Sequence, residues 1–391
     1  MPVDQNIAEK EPFDFWPHPA VIARNEFKFK SLSAWNFNIS MGCTHGCRFC
    51  YVPSTSANKH KPKLAEFGVT DPDAEWGQYS LLRPWDEKKF LASLKQAKEV
   101  PTKKLNPDGN RAVIFCSTTD PFQVFKASTA EKTKLLNDSA KGLVTKALEA
   151  IRDHSTLNVR ILTRSPLARQ SFDLFKSFGK RLVFGMSLPT LDNRLTKVYE
   201  PNAPAPSKRL ETLEAAKAAG LHVFVAIAPT YPECDEADLR KTLLAIKPLD
   251  PITIFHEPIN IRAENVERIA EHAKVLGIKL KTEVFEDSLS WRRYALESLM
   301  LMERIAGELG LKDCLKLWPD EDLKSEPFYL EIRKLDWEKR PRTSYEKERY
   351  REQDRLNYEK QYLPWLETWW SRISDWPGEK QNRRMESTAN T

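Results

Sequence analysis

Trp35-Asn36-Phe37-Asn38-Ile39-Ser40 runs directly into Met41-Gly42-Cys43-Thr44-His45-Gly46-Cys47-Arg48-Phe49-Cys50-Tyr51. The first segment reads as a short strand, and the second places three thiols, four and three residues apart, on the loop that follows it. Comparable apolar, β-branched runs recur at residues 112–118, 158–163, 181–188, 221–228 and 251–256. Each is short and nearly continuous, as expected of strands buried on both faces. Between them, residues 131–152, 166–178, 206–219, 236–246 and 262–276 carry apolar side chains at three- and four-residue steps, with Gly220 and Gly277 where two helices should end. Strand then helix, repeated about six times, predicts an α/β protein with a parallel sheet and right-handed crossovers, either an open doubly wound sheet or a full or partial barrel. The expected architecture is a partial (β/α)6 barrel of the TIM type over residues 31–318, preceded by an extension over residues 1–30. In either arrangement chemistry gathers at the carboxyl ends of the strands, which is where the cysteine loop lies.

The chain has six cysteines among 391 residues, too few for a disulfide scaffold, and three of them fall within eight residues. In a reducing compartment that clustering reads as metal binding. Three thiolates on so compact a loop can hold three corners of a [4Fe–4S] cubane, while Gly42 and Gly46 let the backbone wrap closely around it. The fourth iron then lacks a protein ligand, and its open positions can be chelated by the amino and carboxylate groups of a methionine moiety. A competing reading is a structural zinc knot completed by His45 or His60. Zinc sites usually draw ligands from two separated pairs, and no second Cys-x2-Cys follows.

A net charge of +6 and a pI near 8.8 fit a polyanionic partner and fit an ordinary mildly basic enzyme equally well. No run of about 18 apolar residues is present to span a bilayer. The amino terminus, with Asp4, Glu9, Glu11 and Asp14, lacks the basic-then-apolar order of a signal peptide, so a cytoplasmic protein without membrane contact is expected. There is no Gly-rich phosphate loop and no serine-hydrolase elbow. Cys234 and Cys314 have no partner motif, and no second cysteine cluster exists to hold an auxiliary centre.

The Cys-x3-Cys-x2-Cys spacing closed by an aromatic residue resembles the signature of the radical S-adenosylmethionine superfamily. Cys116-Ser117-Thr118-Thr119-Asp120-Pro121, Leu162-Thr163-Arg164-Ser165-Pro166, Met186-Ser187-Leu188, Glu200-Pro201 leading to Arg209-Leu210, and Ala226-Ile227-Ala228-Pro229 follow one another at the ends of successive strands. In this order, over residues 30–320, they are similar to the spore photoproduct lyase-like branch. The resemblance implies a [4Fe–4S] cluster on Cys43, Cys47 and Cys50, S-adenosylmethionine as second cofactor, and an electron donor of flavodoxin or ferredoxin type. It also implies a lyase-like enzyme in which a 5′-deoxyadenosyl radical takes hydrogen from a nucleic acid or nucleotide at the barrel mouth.

Tyr51 is similar to the family's aromatic residue whose backbone meets the adenine, although a loop aromatic packed on the sheet end accounts for it as well. Ser117, Thr118 and Asp120 place two hydroxyls and a carboxylate where they suit the cationic amino group of a methionine moiety; a turn capped by Asp120 before Pro121 uses the same residues. Arg164 can pair bidentately with the cofactor carboxylate, at a position where the lyases carry lysine. Ser187 matches the polar residue set against the ribose, or else caps the next turn. Glu200 and Arg209 are candidates to orient one another beside the cofactor, or to form a surface ion pair of small value. In the lyases the cysteine that returns a hydrogen atom stands three residues before the acid, a place held here by Ser117. Cys116 lies one residue earlier, and in a strand that offset points to the opposite face, which makes Cys116 a core residue more readily than a hydrogen donor.

Residues 53–85 interrupt the barrel pattern after the cysteine loop and read as a lid-like insertion. Lys59, His60, Lys61, Lys63, Trp76, Tyr79, Arg83 and Trp85 would suit a nucleic acid, with phosphates on the cations and bases on the rings, or a surface loop docked by its tryptophans. Residues 319–391 hold Trp337, Trp365, Trp369, Trp370 and Trp376 among interleaved charges, as in a helical extension whose ion pairs are internal. Two functions follow: a radical enzyme acting on a nucleic acid or nucleotide, or a noncatalytic nucleic-acid-binding protein stabilised by metal in the cysteine loop.

Overall fold

Seven parallel strands stand side by side in chain order in the computed structural model, which describes residues 10–25, 33–101 and 111–323. The chain divides into two compact units, Met1–Trp318 and Pro319–Thr391. The tryptophans and charges expected to form a helical extension, from Lys334 to Trp376, lie outside the described residues.

In chain order the elements are β1 (Phe13–Phe15), β2 (Ile22–Arg24), β3 (Trp35–Phe37), β4 (Ser40–Gly42), α1 (Lys61–Ala65), β5 (Ser80–Leu82), α2 (Glu87–Glu99), β6 (Ala112–Phe115), α3 (Ala130–His154) and β7 (Asn158–Thr163). After them come α4 (Phe172–Lys176), β8 (Leu182–Ser187), α5 (Asn193–Tyr199), α6 (Pro206–Ala218), β9 (Val223–Thr230), α7 (Glu236–Ile246), β10 (Thr253–Pro258), α8 (Asn265–Val275), α9 (Ser288–Glu308) and β11 (Leu315–Leu317). The large sheet runs β2-β3-β6-β7-β8-β9-β10-β11, with β2 antiparallel to β3 and every other neighbour parallel. Its two edges do not meet among the described residues, so the expected partial barrel is present, and β11 extends it.

Burial explains the continuous strands. Every residue of β6 and β8 is buried, because helices cover one face while the other turns inward. Phe184 of β8 meets Phe172 and Phe175 on the helical side. Ile114, Val183, Phe224, Phe255 and Trp318, with Leu162, form the cluster on the inner side. Gly185 is needed there because the Phe224 ring occupies the space a Cβ would take, 2.3 Å away. Several helices start on side-chain caps, among them α3 on Thr129, α7 on Asp235 and α9 on Asp287. Gly220 and Gly277, at positive φ after α6 and α8, end two of them.

The first strand read from sequence is divided in two. Residues 35–37 pair with β6 in the large sheet, whereas residues 40–42 pair with β5 in a second sheet of order β1-β5-β4. Asn38 holds the crossing point, its Oδ1 accepting from the Ser117 and Thr118 amides at 2.9 and 3.1 Å. Residues 13–15 and 22–24, read as part of an extension, supply one strand to each sheet. The 53–85 insertion supplies α1 and β5, and it shares a core with the cysteine loop that contains Trp16, Met41, Cys43, Leu64, Trp76 and Tyr79. Trp76 and Tyr79 are buried in that core, so neither ring faces a base; Lys59, His60 and Lys61 remain exposed.

Candidate active site

The thiol loop is fixed from several directions. Within it the Gly46 and Cys50 amides donate to the carbonyls of Cys43 and Cys47, making two turns. From the loop after β6, Gln123 Oε1 accepts from the Thr44 amide at 2.9 Å. From α5 and the segment after it, the Tyr199 carbonyl accepts from Arg48 N at 2.8 Å, and Asn202 Nδ2 donates to the Thr44 carbonyl at 3.1 Å. From α8, Asn265 Nδ2 donates to the Phe49 carbonyl at 3.3 Å, while Arg268 bonds both the Cys50 carbonyl and Asp73 of the insertion. Gly46, at φ +59°, faces Gly77, and a Cβ on Gly46 would lie 3.0 Å from the α-carbon of Gly77. Two backbones approach here closely enough that only glycine fits.

Cys43 and Cys47 are buried, Cys50 half-buried, and all three are free of disulfides. Burial pushes each thiol up to about 12, and the thiols' mutual repulsion adds to it, while the Arg164 guanidinium acts on all three in the opposite direction. Such thiols ionise when a cation takes the proton's place. Among the described residues no group of three or more His, Cys, Asp or Glu side chains is arranged to hold a single metal ion. The histidines a zinc knot would need are engaged elsewhere: His45 Nε2 lies 3.1 Å from Asp120, and His60 packs edge-on against Trp16 at 5.7 Å. Three thiols without a fourth side-chain donor, beside an arginine that offsets negative charge, fit an iron–sulfur cluster with one open iron better than a closed zinc site.

Asp120 faces inward. Its Oδ1 accepts from Thr163 Oγ1 at 2.7 Å and from the Phe122 amide at 2.8 Å, its Oδ2 accepts from the Arg164 amide at 2.8 Å, and His45 approaches the same oxygen. Burial works to raise this carboxyl, but the His45 imidazole and the two amides outweigh it and hold the group below its ordinary value. Asp120 thus ties the ends of β6 and β7 to the cysteine loop. Ser117 Oγ accepts from Asn38 Nδ2 at 3.3 Å, and its residue borders a cavity of about 150 Å³ with Phe49, Cys50, Tyr51, Glu257 and Asn260. Thr118 is placed through its amide on Asn38. Tyr51 is 42% exposed at the rim of the same cavity. Cys116 is buried, and desolvation pushes its thiol well up.

Glu200 lies between two arginines. Its Oε1 accepts from Arg164 Nε at 2.6 Å and its Oε2 lies 2.5 Å from Arg209 Nη2. Arg209 is 0% exposed and also donates to the carbonyls of Pro204 and Ser187. Burial would raise the Glu200 carboxyl, yet the two guanidinium charges prevail and lower it. Among the described residues Arg164 Nη1 and Nη2 have no hydrogen-bond partner, which leaves that end of the fork available to a ligand. Ser187 is buried at the end of β8 and its hydroxyl has no partner among the described residues. The structure also brings in residues that pattern reading did not place in these roles: His45, Gln123, Asn202, Asn265 and Arg268 around the loop, and the stacked pair Tyr199 and Tyr231 beside it. The i, i+3 and i, i+4 signals that mark cores do not mark such contacts, since each joins segments far apart in the chain.

An open α/β barrel with buried thiols at its strand ends defines a class, enzymes that carry a metal cluster at a barrel mouth. Residues 37–246 match the family model of the Radical SAM superfamily, and the chain belongs to that superfamily. Membership makes it an enzyme, and the family implies S-adenosylmethionine, an iron–sulfur cluster and an electron donor. It is 30% identical to the uncharacterised protein ORF301 of Acidianus two-tailed virus over 249 residues, 61% of this chain and 72% of that protein. It is 22% identical to the uncharacterised protein MJ0683 of Methanocaldococcus jannaschii over 267 residues, 68% and 85% of the two chains. Among solved structures, spore photoproduct lyase complexed with dinucleoside spore photoproduct superposes with a TM-score of 0.52 at 13% identity, covering 75% of this chain and 80% of that one. That likeness is one of fold. Among the described residues no helix is long and apolar enough to cross a membrane.

Proposed function

We propose that Cys43, Cys47 and Cys50 hold a [4Fe–4S] cluster and that the protein cleaves S-adenosylmethionine reductively to start radical chemistry on a nucleic acid or nucleotide. The observation that carries this reading is the set of three free thiols, two buried and one half-buried, on one braced loop beside Arg164. A cluster held by these three cysteines would supply the single electron for reductive cleavage of bound S-adenosylmethionine. The chain's own residues bind, orient and exclude water. The free end of Arg164 holds a carboxylate; Ser187 and the rim at Tyr51 offer polar and aromatic contacts to the nucleoside half of the cofactor. Asp120 and Glu200 act one layer further out, the first by fixing the loop through His45 and the second by orienting Arg164.

The nucleic acid or nucleotide assignment is supported by the fold shared with a lyase complexed with a dinucleoside photoproduct. A cytoplasmic setting and a donor of flavodoxin or ferredoxin type belong to the same reading. Anaerobic reconstitution with iron and sulfide, followed by dithionite and S-adenosylmethionine, tests it: 5′-deoxyadenosine forms with the wild-type protein. Cys43→Ala, Cys47→Ala and Cys50→Ala each abolish both the brown chromophore and this product. A variant that keeps both, or native protein that carries stoichiometric zinc, refutes the ligand assignment.

A further inference from the structure

Successive residues of a strand point to opposite faces of its sheet, so strand register fixes which side chains look into the barrel. On β7, Arg160 and Leu162 are half-buried and alternate with the buried Val159, Ile161 and Thr163. Leu162 packs with Ile114, Val183 and Phe224 in the inner cluster. Arg160 shares that face, because its register partners are Ile114 on β6 and Val183 on β8. Asn36 of β3 lies in the same row, opposite Ile114. Along β3, β6, β7, β8 and β9, Arg160 is the one charged side chain on the inner face. Among the described residues it has no ion pair, and its one hydrogen bond runs from Nη1 to the adjacent Val159 carbonyl at 3.3 Å. Burial works against its charge, and no carboxylate offsets it. The inward acids are committed elsewhere: Asp120 to His45, Glu200 to Arg164 and Arg209, while Glu257 lines the cavity at the mouth. A cation drawn into a barrel wall without a counter-charge is unfavourable until an anion joins it.

Two strands away a braced row of amides runs along the same wall. Asn36 Nδ2 donates to Asn25 Oδ1 at 2.8 Å, and Asn36 Oδ1 accepts from Asn38 Nδ2 at 2.9 Å. Asn38 Nδ2 also reaches Ser117 Oγ, at the rim of the mouth cavity. Asn25 is buried and donates to Ser33 Oγ and the Trp35 carbonyl, so the row is anchored at its lower end. The second N–H of Asn36 has no partner among the described residues. We propose that Arg160 binds the phosphate of a mononucleotide substrate inside the barrel, with the Asn36 amide as second donor, so that the nucleoside end stays at the mouth beside the cofactor. The planar guanidinium fork matches two oxygens of a phosphate. Arg160 stands four residues before Arg164, or ~13 Å deeper at the usual rise of a strand. A phosphate at that depth has to be the end of a molecule small enough to enter the barrel; the internal phosphates of a strand lying across the mouth do not reach it.

The inference rests on the nucleic acid or nucleotide reading above and narrows it to a mononucleotide. Anaerobic equilibrium dialysis of the full chain, reconstituted with iron and sulfide and held with S-adenosylmethionine, tests it. The probes are the 5′-monophosphates of the common ribonucleosides and deoxynucleosides, the parent nucleosides, and a mixed-sequence single-stranded oligodeoxynucleotide. At least one monophosphate is expected to bind at least tenfold more tightly than its nucleoside. Arg160→Met is expected to remove most of that advantage and Arg160→Lys to keep part of it, with S-adenosylmethionine affinity unchanged in both. Arg194→Met, at an 88% exposed side chain, leaves nucleotide binding as it was. Chemical denaturation without nucleotide gives a readout that a structural arginine would move the other way: the midpoint of Arg160→Met is expected at or above that of the wild type. The proposal is overturned if no monophosphate binds better than its nucleoside, or if Arg160→Met lowers the denaturation midpoint or the affinity for S-adenosylmethionine. It is also overturned if the oligonucleotide binds more tightly than every monophosphate and loses as much affinity in Arg160→Met. Each of these results leaves the radical reading standing as long as the wild type forms 5′-deoxyadenosine. A wild type that forms none overturns that reading and this inference together.

Discussion

Two buried carboxylates flank the thiol loop, and they are satisfied in different ways. Asp120, after β6, is closed: two backbone amides, a threonine hydroxyl and the His45 ring take up its oxygens. Glu200, after α5, is shared by two guanidinium groups, one locked in the core and one with its terminal nitrogens open. The first arrangement makes a rigid joint between the loop and the sheet. The second fixes the direction of a cation while leaving part of its valence for a ligand. A carboxylate next to a metal motif can therefore serve as mechanical anchor or as aiming device, and its hydrogen-bond partners tell which.

The largest expected effect is at Glu200. Glu200→Gln leaves Arg209 buried without a counter-charge, and removing one partner of a buried ion pair costs about 3–5 kcal/mol. Chemical denaturation of the apoprotein measures it, and a loss below about 1 kcal/mol, the range of an exposed pair, would erase the distinction drawn above.

Asp120→Asn keeps the shape of the joint but weakens its contact with His45 and mismatches one donor, at about 1–3 kcal/mol. This penalty depends on pH with a definite sign. The folded-state carboxyl is held below its ordinary value, so the wild type's advantage is complete above about pH 4 and is lost as the pH falls through the lower folded value. Denaturation curves of both proteins from neutral pH downward should therefore converge, and an advantage that grew on acidification would refute the assignment.

Arg164→Met removes the open fork while Arg209 continues to neutralise Glu200. S-adenosylmethionine affinity, read by anaerobic equilibrium dialysis, should fall about tenfold, or ~1.4 kcal/mol, with a smaller change in stability than at Glu200. Unchanged affinity would mean that Arg164 is a structural cation like Arg209.

The smallest effect is a surface counterpart. Glu236 binds Arg304 and Arg240 between α7 and α9, and those bonds lower its carboxyl to about 2. It is 46% exposed, so solvent screens the pair and Glu236→Gln should cost less than about 1 kcal/mol. A cost equal to that of Glu200→Gln would show that burial is not what separates them.

Much of the large sheet was legible because a strand covered on both sides must be apolar along its whole length. β6 and β8 illustrate it, and the five helical segments between such strands were read from apolar side chains at three- and four-residue steps. The three-residue strands β1, β2, β5 and β11 escaped, since a segment that short has no periodicity to detect. α1, α2, α5 and α9 lay outside the helical segments read from the pattern. The thiols were legible through their spacing. The use of His45 was not, because within the motif it resembles a spare metal ligand, and only the folded chain brings Asp120 to it from 75 residues away in sequence. Tyr231 was equally silent, lying just beyond the Ala226–Pro229 motif with nothing in its neighbours to mark its stack on Tyr199.

The division of residues 35–42 between two sheets bears on how portable this centre is. An eight-residue cysteine segment spliced into a foreign barrel would arrive without Trp16 and Tyr79 behind it, without Gly77 opposite Gly46, and without Arg268 to close the circuit to Asp73. The smallest unit that could be transplanted whole is the amino-terminal strand, the split strand with its loop, and the insertion through β5, together with a receiving surface that copies α8, the end of α5 with Asn202, and Gln123. The thiols are the tip of a small cassette, and a graft that leaves the cassette behind would leave them unsupported.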